Sequence, residues 1–265
     1  MRGASRESLA RASDALAGVT VTEGLGSELY SVARVLDDNG ALRRALTDPA
    51  RSARGRVELA RQLFSGKISE PALAVVTAAV NGRWSASRDL GDALDQLSVE
   101  ADVAYVDGLG TLDELEDELF RLDRVIAAER ALGETLSDRN IPVERRQELI
   151  RGLLDGKADP TTIRLAERAV DGRGRNFAAS MRSYQVAAAA RRNASIATVR
   201  VAVDLTEAER TRLAELLGRQ YGRQIQLNVI VDASVVGGIR IDIGDEVIDG
   251  TIAARLDEAQ RRIAG

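Results

Sequence analysis

Residues 27–36 read SELYSVARVL and residues 117–126 read DELFRLDRVI, and the offset of ninety that aligns them holds far beyond these two segments. Glu28, Leu29, Arg34 and Val35 align with Glu118, Leu119, Arg124 and Val125, and Tyr30 faces Phe120. Leu42, Leu46 and Asp48 match Leu132, Leu136 and Asp138; Glu58, Leu59, Leu63, Gly66 and Lys67 match Glu148, Leu149, Leu153, Gly156 and Lys157. After a one-residue slip at Pro71 versus Pro160, Val80, Gly82 and Arg83 fall on Val170, Gly172 and Arg173. One offset kept through several turns and loops implies an internal duplication. Its period exceeds that of common helical solenoids and occurs twice, so it predicts two small domains and not an array.

Each copy has the texture of amphipathic helices. Leu29, Val32, Val35 and Leu36 form one apolar stripe, as do Leu119, Leu122, Val125 and Ile126. Asp48 and Asp138 lie where one helix ends and the amides of the next need a polar partner. Pro71 and Pro160 suit the first turn of a helix, where a missing N–H costs nothing, and Asn81-Gly82 and Asp171-Gly172 suit its end. Leu59 with Leu63, and Leu149 with Leu153, are expected to occupy equivalent core positions. Helices of this length on short loops pack as bundles.

From Ser195 the pattern changes. SIATVRVAVDL alternates as a strand, and TEAERTRLAELLGRQYG opens with Thr206 and Glu209 at capping-box spacing, with Leu213, Leu216 and Leu217 on one face. IQLNVIV is a second strand. Then comes DASVVGGIRIDIGDEVIDGT, in which Gly237-Gly238 and Gly244-Asp245 interrupt apolar runs. Paired glycines mark a backbone that turns or bulges where a side chain would clash, and taken alone the string reads as a structural hairpin. A last helix is expected through Ile252, Leu256, Ala259 and Ile263. The expected fold class is mainly α with a small C-terminal α/β module: tandem helical bundles at 1–103 and 104–194, then a short mixed sheet with helices at 195–265.

Composition excludes much chemistry. Among the 265 residues there is neither cysteine nor histidine, which removes thiol nucleophiles, His-based triads and zinc sites. A net charge of −4, a pI near 5.2 and 3% aromatics argue against a nucleic-acid binder. The N-terminal MRGASRESLARASDALAG has no apolar h-region, so no secretory signal is expected. Three features imitate sites. Asp242, Asp245, Glu246 and Asp249 are acidic but fit no EF-hand loop. Gly172-Arg173-Gly174-Arg175 lacks the phosphate-loop lysine and follows a helix. Arg191-Arg192 suits a solvated helix C-terminus. No catalytic residue, cofactor or metal is expected.

The glycine-rich string is more specific than its parts. It resembles the C-terminal signature of the delta-subunit family of the rotary (F-type) ATP synthase, bacterial counterparts of the oligomycin-sensitivity-conferring protein. That pattern runs approximately V-D-P-S-L-I-G-G-I, a short strand, then I-G-D-x-V-I-D-G-S. Val231, Asp232, Ser234, Gly237, Gly238, Ile239, Ile243, Gly244, Asp245, Val247, Ile248, Asp249 and Gly250 match, with Ala233 in place of proline and Thr251 in place of serine. LSDRNIPVERRQELIRGLLDGKADP is similar to the family's helical pattern, and the first copy repeats it. The second helical copy is a departure from the common plan, similar to long actinobacterial forms.

The resemblance implies a non-catalytic stator. Its helical part would grip alpha subunits of the catalytic head, and its C-terminal module would hold the b-type stalk. Membrane contact would be indirect, at the cytoplasmic face of the bacterial plasma membrane, with no nucleic acid bound. The alternatives are a helical adaptor unrelated to the synthase, for which the repeat alone suffices, and a carboxylate-based enzyme or metal binder built on Asp242–Asp249.

Overall fold

The computed structural model describes residues 3–171, 176–194, 196–221, 225–232, 235, 237–244 and 246–251. In the first copy the chain forms α1 (Ala4–Ala17), α2 (Leu25–Asp38), α3 (Gly40–Thr47), α4 (Ala53–Phe64), α5 (Glu70–Asn81) and α6 (Arg88–Leu109). In the second it forms α7 (Leu112–Ala128), α8 (Arg130–Ser137), α9 (Val143–Leu154), α10 (Pro160–Asp171) and α11 (Phe177–Ala194). Helices α2 to α5 and α7 to α10 end ninety residues apart, pair by pair. Compactness divides the chain into Met1–Ala188 and Ala189–Gly265. Within the helical unit there are two apolar cores, and α6 serves both. It gives Leu90, Leu94, Leu97 and Ala101 to the first, and Val99, Val103 and Val106 to the second. The expected boundary at 103/104 falls inside this helix.

Repeat partners fill equivalent core positions: Leu29 and Leu119, Leu46 and Leu136, Ala60 and Ile150 are all fully buried. Two expectations need correction. Leu59 is only partly buried, and Leu149 and Leu153 are 37% and 38% exposed. The core faces of α4 and α9 instead carry Arg56, Ala60 and Phe64, and Arg146 and Ile150. Val35 and Val125 likewise lie outside the core, so the buried stripes of α2 and α7 are narrower than the sequence suggests.

The buried arginines explain the misreading. Arg56 donates to five backbone carbonyls, those of Asp48, Arg51, Val80, Asn81 and Gly82, over 2.8–3.3 Å. Arg146 donates to Leu136, Ile141 and Val170 over 2.6–3.1 Å. Carbonyls at helix ends have no intrahelical donor, and a guanidinium supplies several in one plane. A glutamate does the converse. Glu28 accepts the Ser69 N–H (3.1 Å) at the start of α5, and Glu118 accepts the Asp159 N–H (3.0 Å) at the start of α10. Ser69 itself caps the Ala72 N–H, while Asp159 accepts the Thr161 N–H. Pro71 and Pro160 lie in these first turns, as expected. Asp48 and Asp138 each accept the N–H two residues on, at 2.9 Å, shaping the turn; the N-cap of α4 is Ser52.

In the C-terminal unit β1 (Ile196–Val201), α12 (Glu207–Tyr221), β2 (Gln226–Val231), β3 (Ile239–Ile243) and β4 (Glu246–Asp249) form a sheet of order β2-β1-β3-β4. Strands β1 and β2 are parallel, which requires a crossover, and α12 supplies it. The other pairings are antiparallel. Thr206 and Glu209 form the expected capping box. The Thr206 N–H donates to Glu209 Oε2 at 2.8 Å, and the Glu209 N–H donates to Thr206 Oγ1 at 3.3 Å. Ala197, Val199, Val201, Ile241 and Ile243 make the core face with Leu217 and Ile225; Leu216 is exposed. The expected last helix, residues 252–265, lies outside the described residues.

Candidate functional site

The signature residues occupy the end of β2, the start of β3 and the whole of β4. The Asp232 N–H continues the β1–β2 ladder by donating to Val201 O at 2.8 Å, and the chain then leaves the sheet. It returns through Gly237 and Gly238, at φ +68° and +87°, a region costly for any residue with a Cβ. Glycine at 238 is required for a second reason. A Cβ there would sit 2.5 Å from Gly250 O and 2.8 Å from Thr251 Cα. The clasp closes where the Gly250 N–H donates to Ile239 O at 2.9 Å. Two glycines thus let the entry to β3 and the exit from β4 touch backbone to backbone.

The hairpin reading of the first glycine pair is corrected by this topology. Strand β1 lies between β2 and β3, so Gly237-Gly238 steps over a strand instead of reversing onto a neighbour. The reversal comes at Gly244, φ +55°, where Ile243 pairs with Glu246 across a two-residue loop. Asp245, Ala233 and Ser234 fall outside the described residues.

The described carboxylates of the acidic cluster have structural partners. Asp242 is paired with Arg200 on the adjacent strand and with Arg240 at 3.5 Å. Glu246 accepts the Tyr221 hydroxyl at 2.8 Å. Asp249 accepts the Thr251 hydroxyl (2.6 Å) and N–H (3.0 Å), which hold its pKa below the ordinary carboxylate value. Among the described residues no cluster of acidic side chains is arranged to hold a metal ion. The basic loop at 172–175 lies outside the described residues.

Of the predicted site residues, Gly237, Gly238, Ile239, Asp249 and Gly250 come together in the clasp. Val247 stands apart at 52% exposure, close in character to Val231 at 56%. They share no surface: Val231 lies on edge strand β2 in the row of Val201 and Ile239, whereas Val247 lies on the opposite edge strand β4 in the row of Asp242 and Thr198, on the other face of the sheet. The helical unit also exposes Phe120 and Val125, with the Arg124 guanidinium 5.9 Å from the Phe120 ring centre. Sequence reading missed Arg56, Arg146, Glu28 and Glu118. Two of these were aligned by the offset, but nothing in an acidic or basic letter says that it is buried.

Comparison with known proteins follows the same division. The family described as ATP synthase delta (OSCP) subunit matches residues 100–263, from within α6 through the C-terminal module. The ATP synthase subunit delta of Kineococcus radiotolerans is 45% identical, aligned over 99% of this chain and 98% of its own. That of Streptomyces avermitilis is 44% identical over the same shares, and that of Streptomyces griseus subsp. griseus is 42% identical over the whole of both. These relatives therefore match the first helical copy as well as the second.

Proposed function

The chain belongs to the ATP synthase delta (OSCP) family, and from that membership we propose how it works as a stator. It is a non-catalytic subunit of the peripheral stalk of the F-type ATP synthase. This displaces the reading as an unrelated helical adaptor. In our proposal the helical bundles, residues 1–103 and 104–194, hold alpha subunits of the catalytic head, and the module at 195–265 holds the b-type stalk. The head is thereby kept from turning with the rotor, at the cytoplasmic face of the plasma membrane. Among the described residues no helix is long and apolar enough to cross a membrane, and the proposed attachment is through the complex.

The observation that carries this reading is the family match from residue 100 to 263, which joins one helical copy and the glycine clasp in a single unit of descent. Holding two partners at once needs two separated surfaces and no acid–base group, in keeping with a chain without histidine or cysteine. Removal of residues 196–265 tests it in inverted membrane vesicles. The expected result is loss of ATP-driven proton pumping together with loss of the stalk in a pull-down. Gly238→Val should reproduce much of this, because a β-branched side chain would be strained at φ +87° and driven into Gly250 O. Normal pumping after the deletion would overturn the assignment of this module as the stalk anchor.

A further inference from the structure

The two copies differ where they meet. At the offset of ninety, α1 corresponds to the second half of α6, so Ser8 and Ala12 fall on Ser98 and Asp102; on α5 and α10, Ala78 falls on Arg168. In the first copy this place is packed with small groups. Ser8 Oγ donates to Arg83 O at 2.7 Å and accepts the Arg83 N–H at 2.8 Å, beside the bare Cα of Gly82. In the second copy it holds an ion pair, Arg168 Nη1 to Asp102 Oδ2 at 2.6 Å, with side-chain exposures of 5% and 2%.

Other partners of that arginine reach across the seam. Nη1 also meets Ser98 Oγ on α6, whereas Nη2 donates to Ser27 Oγ on α2 at 3.2 Å, and the guanidinium lies 5.0 Å from the Tyr30 ring centre. The Tyr30 hydroxyl donates to Asp171 at the end of α10, and Arg34 Nη1 donates to the same carboxylate at 3.0 Å. Burial first, then the Asp171 hydrogen bond, raises the phenol above its ordinary pKa. Gly26 completes the fit: a Cβ there would lie 2.5 Å from the Asp102 carboxyl carbon and 2.6 Å from Ser98 O.

A buried ion pair gains little net stability over well-packed apolar groups, because removing both charges from water offsets their attraction. The first bundle shows the same design folding with alanines at both places. We propose that Asp102 and Arg168 are positioning residues, a lock that fixes α10 of the second bundle against α2 of the first so that the two bundles move as one stiff body. Helix α6 runs through both bundles, and a lone helix curves along its length. A second tie, set off its axis, removes that freedom. The use of such stiffness in resisting torque rests on the stator reading; the lock itself belongs to the isolated chain.

The test uses the full-length protein, which has no native cysteine. Spin labels on Arg54→Cys (α4) and Arg145→Cys (α9) report the distance between bundles by pulsed electron resonance. The parent should give one narrow distance. Asp102→Ala with Arg168→Ala should keep its helical circular dichroism while the distance distribution widens at least about twofold, since registry and not folding is what the pair supplies. Tyr30→Phe with Arg34→Gln, which leaves the pair intact, should widen it less. A width equal to the parent's in the alanine pair overturns the proposal. Should that variant lose its helicity, the decision passes to Asp102→Asn with Arg168→Met, which removes both charges and keeps most of the volume; there an unchanged width overturns the proposal and a wider one carries it.

Discussion

In the first helical copy Arg56 gathers five carbonyls and Tyr30 lies under Arg168; in the second, Arg146 gathers three among the described residues and the equivalent Phe120 is 54% exposed. The framework residues agree across the repeat. Leucines at 29 and 119 and at 46 and 136, glutamates at 28 and 118, and arginines at 56 and 146 sit in matching places, and their partners Ser69 and Asp159, Arg51 and Ile141, and Val80 and Val170 correspond. Among the residues that disagree are Ala12 and Ala78 against Asp102 and Arg168, and Tyr30 against Phe120; of these Asp102, Arg168 and Tyr30 meet at the seam.

The largest expected effect would break this equivalence if absent. Leu29→Ala and Leu119→Ala should each destabilise their bundle by about 2–5 kcal/mol, through lost burial and the cavity left behind. Denaturant unfolding measures both, and a negligible cost at either position would end the claim of equivalent cores. Next, Arg56→Met and Arg146→Met should each cost about 2–4 kcal/mol, because buried carbonyls lose their donors. Denaturant unfolding of each variant checks this, and a negligible cost at either would mean that the guanidinium is not what holds those helix ends. Leu149→Ala should cost only about 1 kcal/mol or less, as befits a side chain half in water. A core-sized loss there would restore the apolar-stripe reading of α9.

The smallest effect lies outside the copies and serves as a control. Backbone and hydroxyl donors of Thr206 lower the pKa of Glu209 in the folded chain. A depressed carboxylate contributes stability above its unfolded pKa and loses it as pH falls through the folded value. Glu209 should therefore titrate by NMR below an ordinary glutamate, and Thr206→Ala should bring it back up. An unmoved titration would mean that the capping box is not formed in solution.

How much of this was legible depended on range. Features with a local cause were readable: the capping box at Thr206–Glu209, the prolines of α5 and α10, and the strain-tolerant glycines at 237, 238 and 244. The repeat was readable because it needs only comparison of the chain with itself. Burial phase in α4 and α9 was misread because an arginine sits on the core side, so the apolar letters Leu59 and Leu149 pointed to the wrong face. Strand order was hidden for another reason. β3 could pair with β2 beside it in sequence or with β1 some forty residues away, and alternation of apolar residues is the same for either partner. The Asp102–Arg168 pair spans 66 residues of chain, and neither charge announces its burial.

Helix α6 sets a rule for anyone who would take this protein apart. Because it gives the first core Leu90, Leu94, Leu97 and Ala101 and the second Val99, Val103 and Val106, the two sets overlap in sequence and no cut in the gene yields two whole bundles. A break at 103/104 would strip Val99 and Val103 from the second core and leave them bare on the first fragment. Two fragments that each fold must both carry residues 88–109, read twice from a chain that writes them once.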